Sequence, residues 1–223
     1  MHSTPLHTRR IAVAVVTGFA AVLLTAAPAL ADDDTVLTSG TPAGTAVAVG
    51  DTISAGIATG SQAVFATAPG GANGMKCNTS SFSAVVNDNP AAPGAAALGS
   101  TIGLADCTVT GVIGVLGVNS VAVNNQPYAT TVASDGTVAV AGTDTAQISA
   151  TLVLRTLLGT VTCNFVADGN AISGVADNTD NSISFTDQKF NKSSGPAACV
   201  ANGYFTAKYT PVVDSAAAPV FVN

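Results

Sequence analysis

Four cysteines, at positions 77, 107, 163 and 199, constrain this chain more than any other feature. The stretch Val161–Cys199 shows how. Thr160, Thr162 and Asn164 fall on one side of an extended strand, and Val161, Cys163 and Phe165 on the other, because successive strand side chains point to opposite faces. Cys163 is therefore expected to face inward, and Cys199 is the nearest thiol downstream. The segment Cys77–Cys107 repeats the plan. Each unit has a Cys-Asn pair, a Ser-x-Val strand (Ser83–Val85, Ser173–Val175) and an Asn/Asp turn. A Ser/Thr-Ile strand (Thr101-Ile102, Ser182-Ile183) and a closing cysteine follow. The doubling favours the sequential pairing Cys77–Cys107 and Cys163–Cys199 over the two other connectivities. Each bridge would close a loop of about 30–40 residues and contribute roughly 3–4 kcal/mol.

An even number of cysteines suits an oxidising compartment, and the N-terminus points the same way. Arg9 and Arg10 precede an apolar run from Ile11 to Leu24, and Ala29-Leu30-Ala31 follows it. This is the pattern of a secretory signal peptide cut after Ala31. The run is short for a bilayer core of ~30 Å, so no membrane span is expected after processing. Arg9-Arg10 also match part of the twin-arginine export signal, with Ala12 and Val13 where that signal has Phe and Leu. Residues 1–31 are thus read as signal and 32–223 as one mature domain, with pseudo-repeats at about 51–130 and 146–223. The expected location is secreted or extracellular, association with the cell envelope included.

Removing the signal removes both histidines, His2 and His7. The remaining chain has no Glu and no Trp, and five cations against thirteen aspartates, a formal charge of −8. A Ser-His-Asp or Cys-His site and a His-bearing zinc site are excluded. Cysteines this far apart do not form a four-thiolate zinc site. An acidic surface with scattered cations argues against nucleic acid and anionic membranes as partners. Three features carry sharper readings. Asp106, Asp168, Asp177, Asp180 and Asp187 offer carboxylates for acid–base hydrolysis of glycosides, but aspartate also makes turns by bonding its local backbone. Asp177-Asn178-Thr179-Asp180-Asn181 presents oxygens at alternate positions, as calcium loops do, without the central Gly and closing Glu. Tyr128, Tyr204 and Tyr209 suggest a sugar-stacking platform, although Tyr209 reads as core. No catalytic, metal or cofactor-binding residue is assigned, and no cofactor is expected.

Val, Thr, Ala, Gly and Ser dominate, which favours strands and turns over surface helices. Strands are predicted over Thr45–Val49, Thr52–Ile57, Gln62–Ala66, Phe82–Val86, Thr101–Leu104, Ser120–Val123, Tyr128–Val132 and Thr137–Ala141. Ser134-Asp135-Gly136 makes a hairpin turn between the last two. Further strands are predicted over Gln147–Leu154, Thr160–Phe165, Ala171–Val175, Ser182–Phe185 and Phe205–Tyr209, with Asn202-Gly203 as a turn and Val220–Val222 as an edge. Pro93 and Gly94 reduce the Ala91–Ala97 run to a turn. Gly111–Val118 is apolar and glycine-punctuated, and reads as a fully buried, bulged strand. The alternative is a surface or self-associating strand.

Gly159-Thr-Val-Thr-Cys163, Asn181-Ser-Ile-Ser-Phe185, Cys199 and Phe205-Thr-Ala-Lys-Tyr209 resemble a group of small secreted actinobacterial proteins with two disulfides. More distantly, the two cysteine units resemble the secreted bacterial proteins named for activation of alkane oxidation. Those have a Pro-Trp strand after the first unit, where this chain has Gln126-Pro127-Tyr128. The resemblance implies a secreted β-protein and carries over no catalytic residue. The acidic, Ala/Thr/Val/Gly-rich composition also resembles the antitumour-antibiotic carrier proteins of actinobacteria. The expected fold is an all-β antiparallel sandwich stapled by two sequential disulfides. The expected role is that of a non-catalytic structural or interaction protein with a cell-surface or polymer partner. Its alternatives are a carrier of a small apolar ligand or carbohydrate, and a carboxylate-based hydrolase.

Overall fold

β-branched and small side chains, interrupted every few residues by Gly, Asn or Asp, cut the chain into short extended runs. The computed structural model describes residues 34–223, so Arg9, Arg10, Ala29 and Ala31 lie outside the described residues. The strands are β1 (Leu37–Ser39), β2 (Thr45–Ala46), β3 (Thr52–Gly56), β4 (Ala63–Ala66), β5 (Gly74–Asp88), β6 (Ala95–Thr110), β7 (Val115–Asn124) and β8 (Tyr128–Ala133). They continue as β9 (Thr137–Ala141), β10 (Ser149–Thr156), β11 (Gly159–Ala167), β12 (Ala171–Asp177), β13 (Ser182–Ser194), β14 (Asn202–Tyr209) and β15 (Val220–Val222). All pairing between them is antiparallel.

The all-β class and both disulfides agree with the sequence reading. The sandwich gives way to a closed sheet. Hydrogen bonding runs β12-β9-β8-β6-β5-β4-β14-β13, and β13 returns to β12, an eight-stranded barrel. β11, β10 and β7 continue outward from β13, and β3 lies on β5. The cause is the length of a few strands. β5, β6 and β13 run 15, 16 and 13 residues, and β5 and β13 each pair two successive strands along one edge. β5 takes β4 at residues 74–77 and β3 at 81–85. β13 takes β12 at 182–185 and β11 at 190–194.

Aspartates in the left-handed region bend two of these long strands. Asp106 in β6 has φ 51° and Asp187 in β13 has φ 49°, a conformation that short polar side chains tolerate better than bulky ones. The buried face of β6 changes from even to odd positions around Asp106, and that of β5 changes around Asn78, which faces it. The buried face of β13 changes from Ile183 and Phe185 to Phe190 across a bulge.

The pairing pattern occurs twice, once in β3–β8 and once in β9–β14. The hairpin β4–β5 matches β10–β11. β11 and β12 both run antiparallel to β13 and lie end to end about the turn Asp168–Asn170, in the place of the single strand β5. β6 matches β13, and β7 with β8 matches β14. The crossed pairs β7–β10 and β14–β4 then correspond.

Phe82, Phe165, Phe185 and Tyr209 are fully buried in one continuous core. Phe65 meets Phe165 and Phe190 edge-on, with ring centroids 5.1 and 5.7 Å apart. Ile148, Leu152, Cys163, Phe165, Ile183, Phe185, Phe205, Ala207 and Tyr209 all face inward, as their alternation predicts. Cys77 on β5 bonds Cys107 directly opposite on β6, and Cys163 on β11 bonds Cys199 in the loop after β13. At one end β15, β1 and β2 form a small sheet. There the Asn223 amide donates to Val36 O at 2.9 Å and its side chain to Thr35 O at 3.1 Å.

Three expectations are corrected. Gly111–Val118 is not a buried strand: Gly111 and Gly114, with φ 67° and 78°, turn the chain, and Ile113 is 98% exposed. Asn202-Gly203 opens β14, because Asn202 pairs with Asn191. Ala95–Ala97 are already strand, as β8 supplies a ladder that alanine's helix preference cannot match.

Candidate interaction surface

Four loops meet at one end of the barrel: 67–73, 111–114, 157–158 and 195–201. The ladders place them together. Gly74 pairs with Thr110, Val115 with Thr156, and Asn164 with Ser194. A Cβ on Gly195 would fall 2.8 Å from Thr162 O, so the last loop lies directly against β11. The four loops hold no charged residue, and the nearest cation in sequence is Arg155. Their apolar side chains stand in water: Leu157 is 78% exposed, Leu158 fully exposed and Leu116, on β7 next to the tips, half exposed. With Ile113 they form two neighbouring tips, the β6–β7 turn and the β10–β11 hairpin. Leu157 and Leu158 occupy a two-residue turn held by Thr156, whose hydroxyl donates to Gly159 O at 2.8 Å. The Leu158 amide donates to the same hydroxyl at 3.3 Å.

Seven of the eleven described aspartates gather at the other end, while Asp187 accepts from Gly70 N at 2.9 Å in the first of these loops. Asp34, Asp51, Asp88, Asp135, Asp177, Asp180 and Asp214 all flank or occupy the turns of the far end. Their contacts are those of turn residues. Asp214 accepts from Ala216 N and Ala218 N, both at 2.9 Å, and from the Ser39 hydroxyl at 2.5 Å. The Ser39 bond, more than the backbone bonds, holds its carboxyl below the usual range. Asp180 accepts from the Lys208 ammonium and the Ser182 hydroxyl, and these bonds, Lys208's first, lower it likewise. Asp168 accepts from Asn191 at 2.7 Å and pairs with Lys189 at 3.5 Å, with the same result.

The candidate calcium loop has a structural occupation. Asp177 accepts from Thr179 N at 2.8 Å, closing the turn. Asn178 holds β15 from both sides, donating to Val222 O at 2.7 Å and accepting from Val222 N at 3.0 Å. Asn181 donates to Val220 O at 2.5 Å. Among the described residues no group of three or more His, Cys, Asp or Glu is placed to hold a metal ion. The tyrosines do not form a platform, since Tyr128 and Tyr209 are buried on β8 and β14.

An apolar cavity of about 40 Å³ lies in the core between the barrel wall and the outer strands β7 and β10, lined by Phe65, Met75, Ile102, Leu152, Phe190 and Phe205 among others. A cavity that takes benzene has about 150 Å³. No known family, curated protein or solved structure matches this chain. Ile113 and Leu116 agree with the surface alternative for Gly111–Val118, whereas Leu157 and Leu158 went unread in the sequence, although one signal was there. Two alternating runs, Gln147–Leu154 and Thr160–Phe165, lie on either side of Leu157-Leu158, where a hairpin turn takes Asn-Gly more readily.

Proposed function

We propose that this protein is secreted and acts without catalysis, as an interaction protein that grips an uncharged apolar surface of the cell envelope through its two tips. The carrying observation is the pair of adjacent tips bearing Ile113, Leu116, Leu157 and Leu158, whose full burial would yield about 1.5–3 kcal/mol each before association costs. Placement of seven aspartates at the far end supports the same orientation, because it keeps most carboxylates away from the contact and leaves Arg155, whose guanidinium lies over Gly117, as the charge beside the tips. Two disulfides, and the absence of any helix long and apolar enough to cross a membrane among the described residues, are consistent with an extracellular setting. The N-terminal signal pattern and the resemblance to secreted actinobacterial β-proteins support export. The cavity is too small to favour the carrier reading.

Co-sedimentation with envelope fragments from an actinobacterial host tests the reading. The protein should pellet with the fragments, and the double variant Leu157→Ser/Leu158→Ser should stay in the supernatant with an unchanged melting temperature. Wild-type protein that remains wholly in the supernatant removes the reading.

A further inference from the structure

The doubled frame is shut in one half and open in the other. β13 and β14 pair from Ile183↔Tyr209 to Asn191↔Asn202. In the matching place β6 pairs with β8 only over residues 95–100, and among the described residues positions 101–110 have no strand on that side. β7, which follows β6 through the tip, pairs among the described residues only with β10. Two strand edges therefore flank a seam with no ladder across it. Its local cause is irregular backbone. β7 shifts register twice against β10, and β6 carries Asp106 in the left-handed region; such bulges turn an edge away from its neighbour.

Three observations make the seam a site. A groove of about 390 Å³ runs along it, lined by residues 104–107 and 118–121. Apolar side chains in it are incompletely covered: Leu104, Val118 and Val121 pack on the core yet are only partly buried, beside the polar Asp106, Asn119 and Ser120, whereas Phe190 and Phe205 of the shut half are buried. The third is Gln126. Its side-chain amide accepts from Ile102 N–H and donates to Ile102 C=O on β6 and to Val123 C=O on β7, both at 3.2 Å, so it spans the seam at that end. A side-chain amide thus occupies the place where a neighbouring strand would set a peptide group. By the alternation of an antiparallel strand, the same edge next presents Leu104. Among the described residues no side chain caps Leu104 in that way.

We propose that the β6–β7 seam receives an extended peptide segment of a partner protein as an added strand. Only a polypeptide backbone bonds both edges at strand spacing, and Leu104, Val118 and Val121 select a segment with an apolar residue at every second position. Asp106 on the groove wall favours a segment that is uncharged or basic. A small apolar molecule would cover these side chains and leave both edges unbonded. This site is separate from the tips and does not depend on their role.

The probe is a fluorescein-labelled peptide, Lys-(Thr-Val)₃-Thr-Lys, beside a twin N-methylated at alternate residues. The plain peptide should bind, and the twin about tenfold more weakly, because it has lost backbone donors but no side chains. Binding should slow hydrogen exchange at Leu104 and along the seam-facing edge of β7, and leave the tip amides unchanged. Leu157→Ser/Leu158→Ser should bind the probe like wild type, which separates failure here from failure of the tip reading. Absence of binding, equal binding of both peptides, or protection confined to the tips would each overturn the proposal. Seam protection that grows with protein concentration and no peptide would overturn it too, in favour of a second copy as occupant.

Discussion

At the scale of single residues, Tyr209 shows how a side chain ties the two halves together. Its ring is fully buried against Phe82 and Phe185, and its hydroxyl lies 2.9 Å from Ser80 Oγ. Ser80 has one proton and gives it to Gly103 O at 2.9 Å, so Tyr209 is the donor to Ser80. Burial pushes the Tyr209 hydroxyl up to about 12. A raised value in the folded state means that folding favours the neutral phenol. The associated stability is complete below about pH 10, the unfolded value, and is lost as pH rises towards the folded one. Tyr209→Phe should cost about 1 kcal/mol at neutral pH and flatten the decline between about pH 10 and 12, read from urea midpoints. The acid side has the opposite sign. Asp168, Asp180 and Asp214 are lowered by their partners, so their contribution is present above about pH 4 and lost as pH falls below it. In Asp180→Asn the urea midpoint should fall less steeply with acid than in wild type. Tyr209's inward position was legible from its alternation with Phe205 and Ala207. The work of Asn89 was not, because it lies outside any period. Its side chain donates to Leu37 O and Val47 O at 2.8 and 2.9 Å and accepts from Leu37 N at 2.8 Å, standing in for a strand beside β1.

Among elements, the long strands and their staples decide the outcome. The bridges close separations of 30 and 36 residues, and loss of either should cost about 3–4 kcal/mol. The local effects should differ. Cys77→Ala/Cys107→Ala loosens β6 on the side of the open seam, whereas Cys163→Ala/Cys199→Ala frees the loop 195–201 from β11. Hydrogen exchange resolved by residue distinguishes the two. Where one face is buried, alternation gave the strand and its inward side, as in β10, β11 and β14. It gave neither the continuity of β5 nor the break between β11 and β12. Whether a Gly or Asp bends a ladder or ends it depends on the neighbouring strand, which no local window contains. The cysteine units hinted at the doubled frame, but they could not show that its repeat begins with β3 and β9.

For the whole molecule, the dominant fact is polarity along the barrel, with carboxylates in the turns of one end and bare Leu and Ile at the other. Leu157→Ser/Leu158→Ser should leave the melting temperature nearly unchanged, since both side chains project into water, while raising solubility and abolishing envelope binding. Differential scanning calorimetry and turbidity against concentration check the first two. Composition announced an acidic β-protein, yet the separation of charge from apolar surface belongs to the topology, which folds loops far apart in sequence to one end. The closed sheet was illegible for the same reason, because alternation says which side chains face inward and not which strands meet. The bonds from Asn223 to Thr35 and Val36 join the first and last strands at the acidic end. A biotin or a solid support attached at residue 223 therefore holds the molecule by its carboxylate-rich base, and every copy on such a support is oriented alike, with Leu157 and Leu158 outermost.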